Sequence, residues 1–382
     1  MFDRMFAACA VLAAAVTLTA CGGNDSNEGS ASSGKTGGAD DVQAVAQEKI
    51  KEFMTLPEKF PGGTTPYNPG TGKAGALVTG FGAAPSVDAA RWAVDAFHAM
   101  GWQSGPPVDG KFSPTVQAAF MDRAVQDKLD GVVLVGVDVN NLAASVERAA
   151  AAGVRITCIV CTSGEKWKGK VVDVTPDWLK TGQIAAWRTL ANSGSDDKVV
   201  TFHAEEFAAV RLRTKGVTDT IKQNCEKCTL DVVKMTAGDL SKPGPPQWVA
   251  YLASHPEGTV NNVIGMYDDQ SMIITRTALQ SGREFLVGGY DGSVPNLTAM
   301  SEGKPPIDFS VAHPFHYEAW AAADAIARWT AGEPVPDDLD NMPNLLVTKD
   351  NVQELLGGPE GDYYPTPKGD WQGEFKKLWG KS

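Results

Sequence analysis

Several side chains of the kind that hold a polar ligand stand in this sequence at equivalent places, each just past an apolar run. Asp138 ends DGVVLVGVD (130–138), Asp268 follows VNNVIGMY (260–267), Asp291 ends EFLVGGYD (284–291), and His313 ends IDFSVAH (307–313). Arg211 follows the run DKVVTFH (197–203), with Glu205 and Phe207 in the loop between. Ionised carboxylates accept hydrogen bonds, Arg donates through a planar fork, and aromatic faces cover the C–H side of a ring. Such a set suits a solute rich in hydroxyls, and also a nucleoside or a cationic solute. Each residue has a plainer reading: Asp is a favoured helix N-cap, Arg211 can form a surface ion pair, and His313 can pack in a hinge.

The positions gain weight from the elements around them. Apolar runs alternate with helix-period segments. Strands are expected at 74–80, 130–138, 154–160, 197–203, 230–235, 260–267, 284–291 and 307–313. Helices are expected at 86–100, with Ser86 as cap, and at 114–129, 141–152, 178–192, 207–224, 246–254, 269–281, 294–302 and 316–331. Continuous apolar strands are buried on both faces, as in parallel sheets, and strict alternation implies open sheets with helices on both sides. The fold class is therefore α/β, with two doubly wound, mostly parallel-sheet lobes. Ligands of open α/β sheets bind beyond the strand C-termini, where the acidic residues stand. No glycine-rich nucleotide loop, nucleophile elbow or zinc-helix motif interrupts the pattern. The five histidines show no nucleophile–base spacing. A binder with no cofactor and no metal is expected, not an enzyme.

At these positions the chain resembles type I periplasmic solute-binding proteins of the ribose-binding kind, the capture subunits of carbohydrate ABC importers. DGVVLVGVD resembles the strand whose last Asp holds the sugar. Asp177 followed by Gly182 resembles the crossover into the second lobe, and Arg211-Leu-Arg213-Thr-Lys-Gly216 the R-x-R-x-x-G helix whose first Arg reaches the ligand. Tyr267-Asp268-Asp269, Gly289-Tyr290-Asp291-Gly292 and Val311-Ala312-His313-Pro314 resemble the family's later strand ends. The resemblance spans about 73–357. It departs where the family has Asn-Pro-Phe-Phe after the first strand: here GFGAAPS leaves Phe81 as the only aromatic. Asp268 and His313 replace a usual Asn and Gln, and SGPPVDG stands where a longer second strand is expected.

The resemblance implies a three-strand hinge near 175, 312 and 341. The N-terminal lobe would take 73–175 and 313–340, and the C-terminal lobe 176–312 and 341–382. Phe81, Asp138, Glu205, Phe207, Arg211, Asp268, Asp291 and His313 would bind a monosaccharide or related polyol for an importer permease and its cytoplasmic ATPase. Trp167 and Trp178 would flank the cleft mouth. A sensor of the same fold, signalling to a membrane receptor, and a non-carbohydrate binder are the alternatives.

The apolar segment Phe6–Ala20 carries no charge and ends before Cys21. It is shorter than the ~20 residues that span a bilayer and suits a signal peptide (1–20). Leu18-Thr19-Ala20-Cys21 resembles a lipobox, which makes Cys21 the expected lipid anchor. Gly and Ser supply ten of the twenty residues at 22–41, an expected flexible linker. A helix and a Pro-rich arm (42–72) follow. With 34 basic against 46 acidic residues, the net charge of −12 excludes a general nucleic-acid binder. The location expected is extracytoplasmic, and the state a monomer. Cys158, Cys161, Cys225 and Cys228 form two C-x-x-C pairs. Export favours disulfides; three pairings are open, and the local one is preferred to a zinc or thioredoxin-like site.

Overall fold

The computed structural model describes residues 39–239, 242–356 and 365–381. The expected signal peptide, Cys21 and most of the linker lie outside the described residues. Helix α1 (Ala39–Lys51) begins within the last residues assigned to that linker.

The first lobe is built on a parallel sheet. Its strands are β1 (Lys73–Val78), β2 (Gln103–Ser104), β3 (Val108–Asp109), β4 (Gly131–Val135), β5 (Arg155–Ile159) and β6 (Val171–Asp173), in the order β2-β1-β4-β5-β6, with β3 also paired to β1. Gly105-Pro106-Pro107 explains why the expected second strand is two short pieces. Proline has no N–H for the ladder, so pairing to β1 stops at Ala74 and resumes at Leu77. Helices α2 (Ala84–Met100), α3 (Pro114–Gln126) and α4 (Ala143–Ala151) cover the two faces. Pro85 lies in the first turn of α2, so Ser86 is inside the helix and does not cap it.

The second lobe repeats the plan. After α5 (Trp178–Ser193) come β7 (Lys198–His203), α6 (Ala208–Asn224), β8 (Thr229–Lys234), α7 (Pro246–Ser254), β9 (Asn262–Ile264), α8 (Asp268–Gln280), β10 (Leu286–Asp291), α9 (Val294–Glu302) and β11 (Phe309–Ala312). The chain returns to the first lobe through α10 (Phe315–Ala331), which packs on α2 and β5. It then re-enters the second as β12 (Leu345–Val347) and α11 (Val352–Leu356). Strand order is β12-β11-β10-β9-β7-β8, with only β12 antiparallel.

Two further crossings extend the expected three-strand hinge. Helix α1 packs on α5 of the second lobe through Ala46 and Ile50, while Phe60 and Tyr67 downstream pack into the first-lobe core. The tail assigned to the C-terminal lobe returns to the N-terminal one as α12 (Trp371–Leu378), a correction with a clear cause. Trp371, Phe375 and Trp379 form one apolar helical stripe, and they are buried against Trp320 and Tyr317 of α10. The Trp379 indole N–H donates to Asp324 Oδ1 at 2.7 Å, and Tyr67 O–H donates to the same oxygen at 2.9 Å. N-terminal arm and C-terminal tail thus meet on one buried carboxylate.

Trp379→Ala removes this buried ring and should destabilise the protein by about 3–5 kcal/mol. Urea unfolding measures the loss, and amide exchange should rise first over α10.

Candidate functional site

A cavity of about 70 Å³ lies between the lobes, lined from both. A single water needs ~10–15 Å³ on this scale, so the space holds a small solute's worth of atoms. The first lobe contributes Thr79, Ser86, Phe112, Asp138, Val160 and Cys161. The second contributes Phe207, Arg213, Met266, Tyr267 and Asp291.

Arg213 is the best-held cation in this wall. It projects from α6, which crosses α5 almost backbone to backbone. A Cβ on Gly182 would lie 2.1 Å from Arg213 O, and one on Gly216 would lie 2.2 Å from Leu179 O. Only glycine fits there, and the close crossing brings Arg213 in to 3% exposure. Its guanidinium lies 4.5 Å from the ring centres of both Trp178 and Tyr290. It donates to Met266 O at 3.1 Å and to Asp291 Oδ1 at 2.8 Å. Its Nε is buried with no protein acceptor, and a buried donor of this kind calls for a partner.

Asp291 closes β10 with φ +98°, a conformation that costs a non-glycine residue energy and recurs at ligand clamps. Burial alone pushes its carboxyl up, but the Arg213 and His313 charges outweigh that and hold it below the usual value. His313 lies behind it: Nε2 is 3.7 Å from Asp291 Oδ1, and Nδ1 is 2.8 Å from Glu318 of α10. Burial lowers the imidazole's pKa, yet Glu318 and Asp291 raise it more. The buried chain Arg213–Asp291–His313–Glu318 therefore runs from the cavity through the hinge into the first lobe.

One ion pair bridges the cleft directly. Asp138 lies past the end of β4; its Oδ1 accepts from Asn140 N–H and its Oδ2 from Arg211 of α6 at 3.1 Å. Across the same cleft, the backbone N–H of Ala84 at the start of α2 draws down the pKa of Asp269, at the start of α8.

The sequence-chosen residues thus divide. Asp138, Phe207 and Asp291 line the cavity. Arg211 instead pairs with Asp138, and His313 backs Asp291. Asp268 does not face the cleft: it is fully buried, accepting from Ser293 N–H and Ser310 O–H beneath the Asp291 turn. Burial raises its pKa well above the usual value. Glu205 is exposed and bound to His203, and Phe81 is exposed with its N–H on Asp109. The aromatic wall of the first lobe is Phe112, whose ring fills the space beside Gly80 and Gly82. Trp167 and Trp178 are buried rather than at the mouth. Asp177 caps α5, accepting from Leu179 and Lys180 N–H. The cysteines pair locally, Cys158 with Cys161 and Cys225 with Cys228. Sequence reasoning missed Phe112, Arg213 and Tyr267.

Residues 71–334 match the family model for a periplasmic binding protein domain. The ribose import binding protein of Bacillus subtilis (strain 168) is 25% identical over 199 residues, 52% of this chain and 62% of that relative, so less than two thirds of its length is spanned. A solved ABC transporter solute-binding protein from Agrobacterium vitis with bound D-fucose has a TM-score of 0.67 at 17% identity, covering 77% of this chain and 100% of that one. Another, from Mycobacterium smegmatis with bound glycerol, has a TM-score of 0.67 at 18% identity, covering 78% and 100%. The fold is that of sugar-transporter solute-binding proteins.

Burial, then the Asp291 and Asp88 charges, push Asp269 up to about 6, against the pull of the Ala84 N–H. A raised carboxyl pKa means the folded state holds the proton more tightly. Its contribution to stability is full below the unfolded value near ~3.9 and is lost as pH rises through 6. Melting temperature measured from pH 4 to 7 should therefore lose part of its decline over that window in Asp269→Asn.

Proposed function

The chain belongs to the periplasmic binding protein family, and we propose that it captures a monosaccharide or related polyol between its lobes and delivers it to an ABC importer. The observation that carries this is Arg213: an arginine buried in the cavity wall, clamped between two aromatic rings, paired with Asp291 and left with an unmatched Nε donor. A sugar hydroxyl both donates and accepts. It can take the Arg213 Nε–H and give its own proton to Asp291 or Asp138. Charge-assisted bonds of this kind are the stronger ones. Phe112 and Phe207 supply apolar surface for the ring's C–H face.

The Arg211–Asp138 ion pair joins the lobes across the site, as closure over a bound solute requires. A permease would then read the closed form. Catalysis is not part of this reading. Among the described residues, no helix is long and apolar enough to cross a membrane. Membrane attachment is proposed through lipid on Cys21, with the folded part outside the cytoplasm as a monomer. The relatives that carry ribose, D-fucose and glycerol in their names support a polyhydroxylated ligand.

A thermal-shift panel of pentoses, hexoses and polyols, followed by calorimetry, tests the proposal. A sugar at ~100 times its Kd should add about 2.7 kcal/mol of stability. Arg213→Lys keeps the charge beside Asp291 but loses the fork. Bonds to charged groups contribute ~1.5–3 kcal/mol, so binding should weaken roughly 10- to 150-fold. Phe81→Ala should bind as the unaltered protein does. No response to any polyhydroxylated solute would contradict the proposal.

A further inference from the structure

Of the two disulfides, one belongs to the cleft. Cys158 is the fourth residue of β5, and its bond to Cys161 closes the loop Cys158-Ile-Val-Cys161 with 5.7 Å between the Cα atoms. Val160 and Cys161 both line the cavity. A four-residue loop releases little chain entropy when cut, so stability alone is a weak reason for this bond. The backbone it encloses supplies a better one. Val160 has φ +56°, in the left-handed region that a β-branched residue rarely enters. Such strain persists only where the surroundings over-determine it.

The loop is held on three sides. Gly136 N–H donates to Ile159 O and Val174 N–H to Cys158 O, both at or next to the sheet. On the far side, Cys161 O accepts from the Trp178 indole N–H at 2.8 Å. Trp178 is the same ring that covers Arg213 and meets His313 edge-on. A contact path therefore leads from the disulfide through Cys161 O and Trp178 to the guanidinium at the centre of the site. The second disulfide, Cys225–Cys228, lies against Gly194 and Ser195 between α6 and β8, and neither cysteine lines the cavity.

We propose that the Cys158–Cys161 disulfide is a positioning element of the solute site, holding Val160 left-handed and fixing Cys161 O beneath Trp178 so that Arg213 is set for the ligand. This rests on the solute-binding reading above. Cleaving the pair lets Val160 leave its conformation and frees Trp178 to tilt, which lowers affinity. The Cys225–Cys228 bond has no such connection.

The test compares Cys158→Ser/Cys161→Ser, the same pair with Val160→Gly, Cys225→Ser/Cys228→Ser, and Trp178→Phe with both disulfides intact. Calorimetry with ribose, D-fucose, allitol and myo-inositol gives affinity, and thermal melting gives stability. Relief of a left-handed valine corresponds to a loss of roughly tenfold in affinity for the first variant. Val160→Gly should recover most of it, since glycine adopts that conformation without strain. Trp178→Phe, which keeps a ring but not the bond to Cys161 O, should weaken binding with a small change in melting. The Cys225–Cys228 bond closes a loop of the same length, so the Cys225/Cys228 variant should keep its affinity, with no more than a small fall in melting temperature. Unchanged affinity in the first variant or in Trp178→Phe overturns the inference, as do equal affinity losses for the two cysteine pairs. Amide exchange over 159–163, measured without ligand, gives a separate readout. It should rise in the first variant and not in the Cys225/Cys228 one. If none of the four sugars binds the unaltered protein, the solute reading fails while this exchange comparison still decides the disulfide's role; equal exchange in both variants overturns it.

Discussion

The ion pair between Arg213 and Asp291 is the constraint around which the rest is arranged. Both partners are buried, and two ionised groups out of water need further partners for their remaining donors and acceptors. Met266 O takes one donor, the Trp178 and Tyr290 rings both lie 4.5 Å from the guanidinium, and His313 stands beside the carboxylate. Those partners come from β10, α6, α5, the segment after β9 and the end of β11. Breaking a pair of this kind typically costs about 3–5 kcal/mol, so each of these elements is tied to the geometry of one interaction. The proposed solute site lies where that interaction reaches the cavity between the lobes.

The hinge inherits the same electrostatics. His313 links Asp291 of the second lobe to Glu318 of the first, and its neighbours Trp178 and Phe315 come from two different crossings. Outside that centre, the N-terminal arm and the C-terminal helix pass between the lobes as well, and they converge at Asp324. Helix α1 thus rests on α5 and α12 on α10, each on the lobe it packs against.

Much of this was legible in the sequence, for physical reasons. Parallel strands buried on both faces read as apolar runs, so both sheets and the positions of Asp138 and Asp291 followed from the pattern. The choice between Arg211 and Arg213 did not. Two residues apart on a helix, they point to nearly opposite faces, and the apolar pattern does not say which face meets the cleft. Gly216 held the signal: residues three apart share a face, and the face with Gly216 is the one that presses on α5. Asp268 misled because β9 ends at Ile264, so the carboxylate falls in the first turn of α8 and points into the core. Phe112 lies in a loop with φ +51°, outside any periodic pattern. The stripe Trp371, Phe375, Trp379 was visible as a helical face, but nothing local to it specifies α10 as its partner.

The most direct measurement is the distance between the lobes in solution. Spin labels at Asp95→Cys on α2 and Arg276→Cys on α8, both exposed, report on the two helices whose N-termini meet at Ala84 and Asp269. With a saturating bound sugar, electron–electron resonance should show one narrow, shorter distance in place of a broader, longer distribution. A sugar that binds by calorimetry yet leaves the distribution unchanged would contradict capture between the lobes.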